Sequence, residues 1–150
     1  MKILITGTNG FLGRNLKEHF ENEKCSLHYP KREDLNLLDT LKVENYIKSN
    51  NFDVIIHSSV TLESIDQNLK MYFNIERLSN YYGKLICIGS GAEFNSKFYI
   101  PKMTEDYFGK YPPSKNDIYG YSKYVIAKNI LEKKRNIFNL RVFGIYGKYE

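Results

Sequence analysis

The stretch Lys2-Ile-Leu-Ile-Thr-Gly-Thr-Asn-Gly-Phe-Leu-Gly-Arg-Asn-Leu16 decides how this chain of 150 residues can fold. Its opening apolar residues, Ile3 to Ile5, are typical of a short buried strand, and the apolar residues from Phe11 onward recur at helical spacing. Three glycines stand between the two segments. A strand, a glycine-rich turn and a helix in this order predict the first strand-to-helix connection of an α/β sheet.

The three glycines have the spacing of a phosphate-binding turn. Gly7 permits a tight turn off the strand, Gly10 lets backbone amides approach a pyrophosphate, and Gly13 lets the helix pack close to the sheet. The N–H groups and the dipole of the helix N-terminus favour an anion there. A purely structural turn is the alternative. The expected dinucleotide contacts in this loop are Gly7, Asn9, Gly10, Phe11, Leu12 and Gly13.

The rest of the chain alternates short apolar runs with longer, more polar segments. This alternation predicts an α/β fold of Rossmann type, a doubly wound parallel sheet with helices on both faces, in one domain over residues 1–150. Ligands of such a sheet bind at the carboxyl ends of the strands, near the point where strand order reverses. Beyond the first unit, strands are expected at 26–29, 53–57, 85–88 and 138–142, and helices from Asp39 or Thr40, through Leu69 to Leu78, and over 119–134.

Composition and charge exclude several classes of protein. With 42% hydrophobic and 26% charged residues the chain is typical of a soluble globular domain, and no apolar run approaches the roughly 20 residues of a membrane span. The lysines behind the formal net charge of +5 are scattered, which is typical of a solvated lysine-rich surface and argues against nucleic acid, and the charge also suits a phosphate-bearing cofactor. Cys25 and Cys87 predict reduced thiols in a cytoplasmic protein, and no metal-ligand spacing is present.

A second motif is Tyr119-Gly-Tyr-Ser-Lys123. Tyr-x-x-x-Lys also occurs at Tyr111–Lys115, which prolines interrupt, and at Tyr124–Lys128, which faces another side of the same helix. Tyr119 and Lys123 share one helix face. Moving a phenol pKa from about 10 to near 7 takes about 4 kcal/mol, which an ammonium about 4 Å away supplies at an effective dielectric of 20. Tyr119 is therefore the candidate acid/base and Lys123 its activator.

Two further segments bear on the chemistry. Ser90 follows the expected strand 85–88, where its hydroxyl can bond a reacting oxygen, and a plain Gly-Ser-Gly turn is the alternative. Lys31 and Arg32 follow the expected second strand, where an NAD site needs an acid and an NADP site needs a cation. They favour NADP, and the adjacent residues 33–34, both acidic, keep NAD as the alternative.

Taken together, these residues resemble the extended short-chain dehydrogenase/reductase superfamily, in its nucleotide-sugar epimerase, dehydratase and reductase branch. The segment 32–39 is similar to the corresponding part of the GDP-fucose synthase group. The resemblance implies a nucleotide-sugar substrate and hydride transfer between a sugar carbon and a nicotinamide. The matching blocks are residues 6–13, 53–59, 88–90, 119–123 and 140–147.

The resemblance also assigns roles to single residues. It implies that Tyr119 is the acid/base, that Lys123 activates it and contacts the ribose, and that Ser90 binds the sugar oxygen. It implies a homodimer formed through helices, with 119–134 as the candidate. The further cofactor contacts that it implies are Asn36 and Leu37 at the adenine, and Ser58 and Asn68 beside the cofactor.

The chain also departs from the family pattern. Ser58-Ser59 replaces a turn that is usually alanine-rich, and the family continues past a Tyr-Gly such as 146–147 into a substrate-binding part. We expect residues 1–150 to be the cofactor-binding and catalytic portion, inactive alone because the substrate-binding part is absent. The alternatives are a dinucleotide-binding regulatory module or inactive relative, and a reductase of a non-nucleotide substrate.

Overall fold

The computed structural model describes residues 1–133 and 136–150. Within them, five parallel strands form one sheet in the order β2-β1-β3-β4-β5, with helices on both faces, which confirms the predicted α/β class. The expected helix end at Lys134 lies outside the described residues. The strands are β1 (Lys2–Thr6), β2 (Ser26–His28), β3 (Val54–His57), β4 (Lys84–Ser90) and β5 (Ile137–Val142), and the helices are α1 (Phe11–Glu21), α2 (Thr40–Asn50), α3 (Ile65–Glu76) and α4 (Ile118–Lys133).

Local sequence explains where three of the helices begin. The Asp39 carboxylate accepts a hydrogen bond from the Lys42 amide at the start of α2, and the Ser64 hydroxyl accepts one from the Gln67 amide at the start of α3. Each such cap stabilises a helix by about 1 kcal/mol. Helix α1 instead begins at Gly10 without a side-chain cap. Its first N–H groups therefore have no partner within the helix and no capping side chain.

The strands bury apolar side chains on both faces of the sheet. Ile3 and Ile5 of β1, with Ile56 of β3, pack beneath Leu16 and Phe20 of α1. Because side chains alternate along a strand, the residues between them point to the opposite face. There a larger cluster joins the sheet to α2, α3 and α4; it includes Leu4, Ile55, Val43, Ile47, Tyr72, Ile75, Ile126 and Ile130.

The α1 face of the sheet is covered over only part of its width. Strand register places Ile86 of β4 beside Ile56, and Phe138 of β5 beside Ile86, so all three share that face. Phe138 and Leu140 of β5 nevertheless remain 49% and 52% exposed. Among the described residues, three helices cover one face and α1 alone covers the other.

The order of the strands reverses between β1 and β3. Strand β2 lies on one side of β1 and β3 lies on the other, and Thr6 and His57 are register partners at their carboxyl ends. Thr6 Oγ1 and His57 Nδ1 are 2.9 Å apart in a buried hydrogen bond. A crevice forms at such a switch point because the connections on its two sides run to opposite faces.

Burial of His57 predicts a pH dependence of stability. Burial, and to a smaller extent the positive charge of Lys123, lowers the pKa of His57 to about 3. Since the unfolded chain binds the proton near pH 6.5 and the folded chain does not, the free energy of unfolding falls as the pH drops from about 6.5 towards 3. The contribution of this one group is about 1.4 kcal/mol per pH unit.

Urea unfolding near pH 6.5 and pH 5 tests this expectation. The unsubstituted chain should lose about 2 kcal/mol more than His57→Asn between the two conditions. The comparison removes the contributions of carboxylates and of His28, which the two proteins share. Equal losses of unfolding free energy in the two proteins would show that His57 takes up its proton in the folded chain as it does in the unfolded one.

Candidate active site

The carboxyl edge of the sheet carries two adjoining cavities of about 500 and 440 Å³. They share walls formed by Gly7, Gly10, Ser58 and Val60, so they form one continuous crevice at the strand switch point. The first cavity extends over the segment after β2. The second extends over the ends of β4 and β5 and the start of α4.

The glycine loop between β1 and α1 is packed from two sides. Gly7 has φ +79°, and a Cβ there would lie 2.6 Å from the Ser59 nitrogen in the loop after β3. A Cβ on Gly13 would overlap the Gly7 carbonyl oxygen and lie 2.8 Å from the Thr8 Cα. The loop therefore brings the uncapped N-terminus of α1 to the crevice, where its free N–H groups suit an anion.

The first cavity contains most of the expected dinucleotide contacts. Lys31 and Arg32 are exposed at its wall, and Leu35 and Leu37 are buried beneath. Its acidic lining residue is Glu63, in the loop before α3, which sequence reasoning missed; Glu33 and Asp34 do not line it. The expected contacts found here are Gly7, Asn9, Gly10, Lys31, Arg32, Asn36, Leu37 and Ser58.

Several of these residues are fixed by hydrogen bonds at the rear of the crevice. The Asn36 side-chain oxygen accepts from the Leu38 amide at 3.1 Å, and the Asn74 side chain donates to the Leu37 carbonyl at 2.8 Å. The Ser58 hydroxyl donates to the Thr6 carbonyl at 2.6 Å. Asn74 was not identified from the sequence, since a polar residue on a helix gives no signal of its distant partner.

The second cavity brings together the three candidate catalytic residues. Ser90, Tyr119 and Lys123 line it with Phe11, Leu12 and Gly13 of the first turn of α1. The buried Lys123 ammonium donates to the Ile88 carbonyl at 2.6 Å and lies 5.7 Å from the centre of the Tyr119 ring. Burial lowers the pKa of Lys123, and the neighbouring Cys87 and Glu93 oppose that shift.

Ser90 is the last residue of β4 and begins a single turn of 3₁₀ helix over Gly91–Glu93. Its hydroxyl oxygen accepts from the Ala92 amide at 3.1 Å, and its own amide donates to Glu93 Oε1 at 2.9 Å. A hydroxyl that accepts one bond keeps its hydrogen as a donor. Ser90 therefore serves the turn and still presents a donor to the cavity.

Asn68 is the expected cofactor contact that lines neither cavity. It is 3% exposed and lies behind the loop after β3. Its side-chain oxygen accepts from the Thr61 amide at 2.8 Å, and its side-chain nitrogen donates to the Thr61 carbonyl at 2.8 Å and to the Ser122 hydroxyl at 3.1 Å. Asn68 thus fastens a wall of the crevice to α4, next to Lys123.

Residues 1–133 and 136–150 contain neither a candidate metal cluster nor a candidate membrane span. No cluster of three or more His, Cys, Asp or Glu side chains there could hold a metal ion. None of the helices in that part of the chain has the length and apolarity to cross a membrane. Cys25 and the buried Cys87 are free thiols, and burial raises the pKa of Cys87 to about 12.

Comparison with known proteins decides the family. A profile described as the NAD dependent epimerase/dehydratase family matches residues 3–150. The chain belongs to this family. Among curated proteins, the chain is 26% identical over 170 residues to the GDP-L-colitose synthase of Yersinia pseudotuberculosis, covering all of this chain and 54% of that protein.

Two further proteins are similar to this chain, one in sequence and one in fold. The chain is 28% identical over 166 residues to methionine adenosyltransferase 2 subunit beta of Rattus norvegicus, covering 99% of this chain and 48% of that protein. Its fold matches that of a GDP-mannoheptose C4 reductase from Campylobacter jejuni with NADP bound, with a TM-score of 0.83 and 20% identity. The match covers 97% of this chain and 48% of that chain. The chain spans about half the length of the curated relatives that it matches.

Substitution of Asn68 tests its structural assignment. In Asn68→Ala the loop after β3 loses its attachment to α4, and we expect NADPH affinity to fall about tenfold while the chain stays folded. Calorimetric titration measures the affinity and thermal unfolding measures the stability. Asn129→Ala is the matched control, because Tyr72 donates to Asn129 between the same two helices at 2.8 Å, away from the crevice. Equal effects of both variants on affinity would contradict a specific role for Asn68.

Proposed function

We propose that this chain is the NADP-binding and catalytic portion of a nucleotide-sugar reductase or epimerase. The observation that carries the proposal is the second cavity. It brings Ser90, Tyr119 and Lys123 to the same space as the N-terminal turn of α1, which is suited to the cofactor's pyrophosphate. Proton-transfer groups and a dinucleotide cradle therefore share one crevice.

The shape of the crevice supports one orientation of the cofactor. The glycine loop lies in the middle, Lys31 and Arg32 lie in the first cavity, and Tyr119 lies in the second. A dinucleotide whose pyrophosphate occupies the middle would extend its adenosine towards Arg32 and its nicotinamide towards Tyr119. The first cavity also has the apolar residues Leu35 and Leu37, which suit an adenine ring.

The charges of the first cavity support NADP. A 2′-phosphate on the adenosine ribose is recognised by cations, and the guanidinium of Arg32 can make a paired contact with phosphate oxygens. Glu63 is the acidic residue that lines this cavity. Its carboxylate could accept hydrogen bonds from the ribose hydroxyls, which would favour NAD. The family is described as NAD dependent, so NAD is the cofactor to compare with NADP.

The mechanism follows from the second cavity. When bound, the nicotinamide supplies a hydride to a carbonyl carbon of the sugar. Tyr119 donates its phenolic proton to the carbonyl oxygen, so that the C=O group becomes CH–OH, and the phenolate takes a proton back from solvent. Ser90 donates a hydrogen bond to the same oxygen, and the positive charge of Lys123 stabilises the phenolate.

The substrate class is proposed from the relatives. GDP-L-colitose synthase and GDP-mannoheptose C4 reductase both carry a GDP-linked sugar in their names, and the second names a reduction at C4. We therefore propose a GDP-linked 4-keto sugar as the first substrate to test. Because those relatives are about twice as long, the proposal concerns the whole protein that carries this chain.

A second candidate is a dinucleotide-binding subunit without turnover of its own. It is favoured by the 28% identity to methionine adenosyltransferase 2 subunit beta, a protein named as a subunit of another enzyme. The arrangement of Ser90, Tyr119 and Lys123 in one cavity favours the enzyme, because a binding module has no need of a proton-transfer group.

Calorimetric titration of this chain with NADPH and with NADH tests the cofactor site. We expect NADPH to bind more tightly, and Arg32→Ala to weaken NADPH by about 10- to 100-fold, since a charge-assisted hydrogen bond contributes about 1.5–3 kcal/mol. NADH affinity should stay unchanged. Glu63→Gln is the companion variant: tighter NADH binding that this variant abolishes would overturn the NADP assignment. Failure to bind either dinucleotide would contradict the cofactor site itself.

Tyr119→Phe tests the chemistry in the full product of the gene. Oxidation of NADPH is followed by absorbance with a panel of GDP- and dTDP-linked 4-keto sugars. We expect the variant to lose about 10²- to 10⁴-fold in kcat with NADPH affinity unchanged, because only the proton donor is removed. Tyr121→Phe, two positions along α4, should keep full activity. Tight NADPH binding without turnover by the unsubstituted protein would support the subunit instead.

A further inference from the structure

A buried carboxylate lies directly behind the catalytic serine. The side chain of Glu93 has no exposed surface, and it lines neither cavity. Its Oε2 accepts from Arg141 Nε at 2.7 Å, both of its oxygens accept from Asn139 Nδ2 at 3.0 Å, and its Oε1 accepts from the Ser90 amide at 2.9 Å. All of these partners are donors, as an ionised carboxylate requires.

The cation that faces Glu93 is itself held from several sides. The guanidinium carbon of Arg141 lies 4.9 Å from the centre of the Phe94 ring and 4.9 Å from that of Phe108. Arg141 Nη1 lies 2.8 Å from the carboxylate of Glu105, which is 79% exposed, whereas the Arg141 side chain is 8% exposed. Two aromatic rings and two carboxylates, each bound by a different nitrogen, restrict the orientation of the guanidinium. Arg141 is therefore a rigid anchor on β5.

The space for this network is made by Gly89, the residue before the serine. A Cβ at Gly89 would overlap both Asn139 Oδ1 and Glu93 Oε1. The carboxylate thus packs against the backbone of β4 just before Ser90. From there it fixes the Ser90 amide, while the Ser90 hydroxyl caps the Ala92 amide of the turn that carries Glu93.

We propose that Glu93, anchored by Arg141 and Asn139 of β5, is a positioning residue that holds the Ser90 hydroxyl towards the reacting oxygen. The inference rests on the proposed role of Ser90. Apolar side chains of similar size generally stabilise a core as well as a buried ion pair does. A charged network at this place gives a fixed direction to the serine turn, which apolar packing does not provide.

The position of Glu93 separates this role from direct proton transfer. Tyr119 and Ser90 line the cavity, whereas the Glu93 carboxylate is enclosed by its four hydrogen bonds behind it. Glu93 reaches the reacting oxygen only through the backbone and hydroxyl of Ser90, while its charge, paired with that of Arg141, also opposes the lowering of the pKa of Lys123. Its loss should therefore change the rate of the chemical step and leave cofactor binding unchanged.

Glu93→Gln is the test variant because it keeps the size of the side chain. The glutamine NH₂ is a donor, and it would face one of the donors of Ser90, Asn139 or Arg141. At least one hydrogen bond of the network is therefore lost. Glu105→Gln is the matched control, since it removes the charge of the exposed partner of Arg141 without touching the serine turn. Thermal unfolding confirms that both variants are folded.

The first readout is amide hydrogen exchange in this chain, measured by NMR. We expect the Ser90 amide to exchange at least about tenfold faster in Glu93→Gln and at the original rate in Glu105→Gln. The second readout is NADPH-dependent reduction of a GDP-linked 4-keto sugar by the full product of the gene. There kcat should fall at least about tenfold in Glu93→Gln, with the KM for NADPH within about twofold.

The two readouts distinguish the inference from the proposed function. An unchanged exchange rate at Ser90 in Glu93→Gln would overturn the structural link, and an unchanged kcat would overturn the positioning role. Absence of reduction by the unsubstituted protein would overturn the proposed function and with it the catalytic role of Glu93. The exchange rates would still decide whether Glu93 holds the serine turn.

Discussion

The contact between α1 and the Gly7 carbonyl is the constraint on which the rest of the crevice depends. A Cβ on Gly13 would overlap that carbonyl, so the helix approaches the end of β1 as closely as a backbone can. The same loop leaves no room for a Cβ at Gly7 beside Ser58 and Ser59. The loop between β1 and α1 and the loop after β3 are thereby brought together at the switch point, beside the free N–H groups of α1.

Buried polar side chains give the walls of this crevice their shape. Asn68 holds the loop after β3, Asn74 holds the segment after β2, and Glu93 holds the turn after β4. Asn68 and Asn74 bond backbone groups of loops, and Glu93 bonds the amide of the last residue of β4, since buried backbone groups require partners. The loops that contact ligand are thus fixed by residues behind them.

The second cavity keeps a positive charge close to Tyr119, the proposed acid/base. Lys123 donates to a neutral backbone carbonyl, that of Ile88, and among residues 1–133 and 136–150 no carboxylate accepts a hydrogen bond from it. Burial lowers the pKa of this lysine, and Cys87 and Glu93 oppose the shift. Glu93 in turn is paired with Arg141, which limits its effect on Lys123. The arrangement keeps a cation close to the phenol without pairing it directly with an acid.

The sequence by itself determined the class of fold, the glycine loop and the Tyr119–Lys123 pair, because periodicity and i to i+4 spacing are local properties of a chain. Only the tertiary structure decided that three helices share one face, that Asn68 lies behind the crevice, and that Glu93 meets Arg141. Asn68 and its partner Ser122 lie 54 positions apart in the sequence, and Glu93 and Arg141 lie 48 positions apart. Their contacts depend on strand register and helix packing, which the spacing of residues along the chain does not specify.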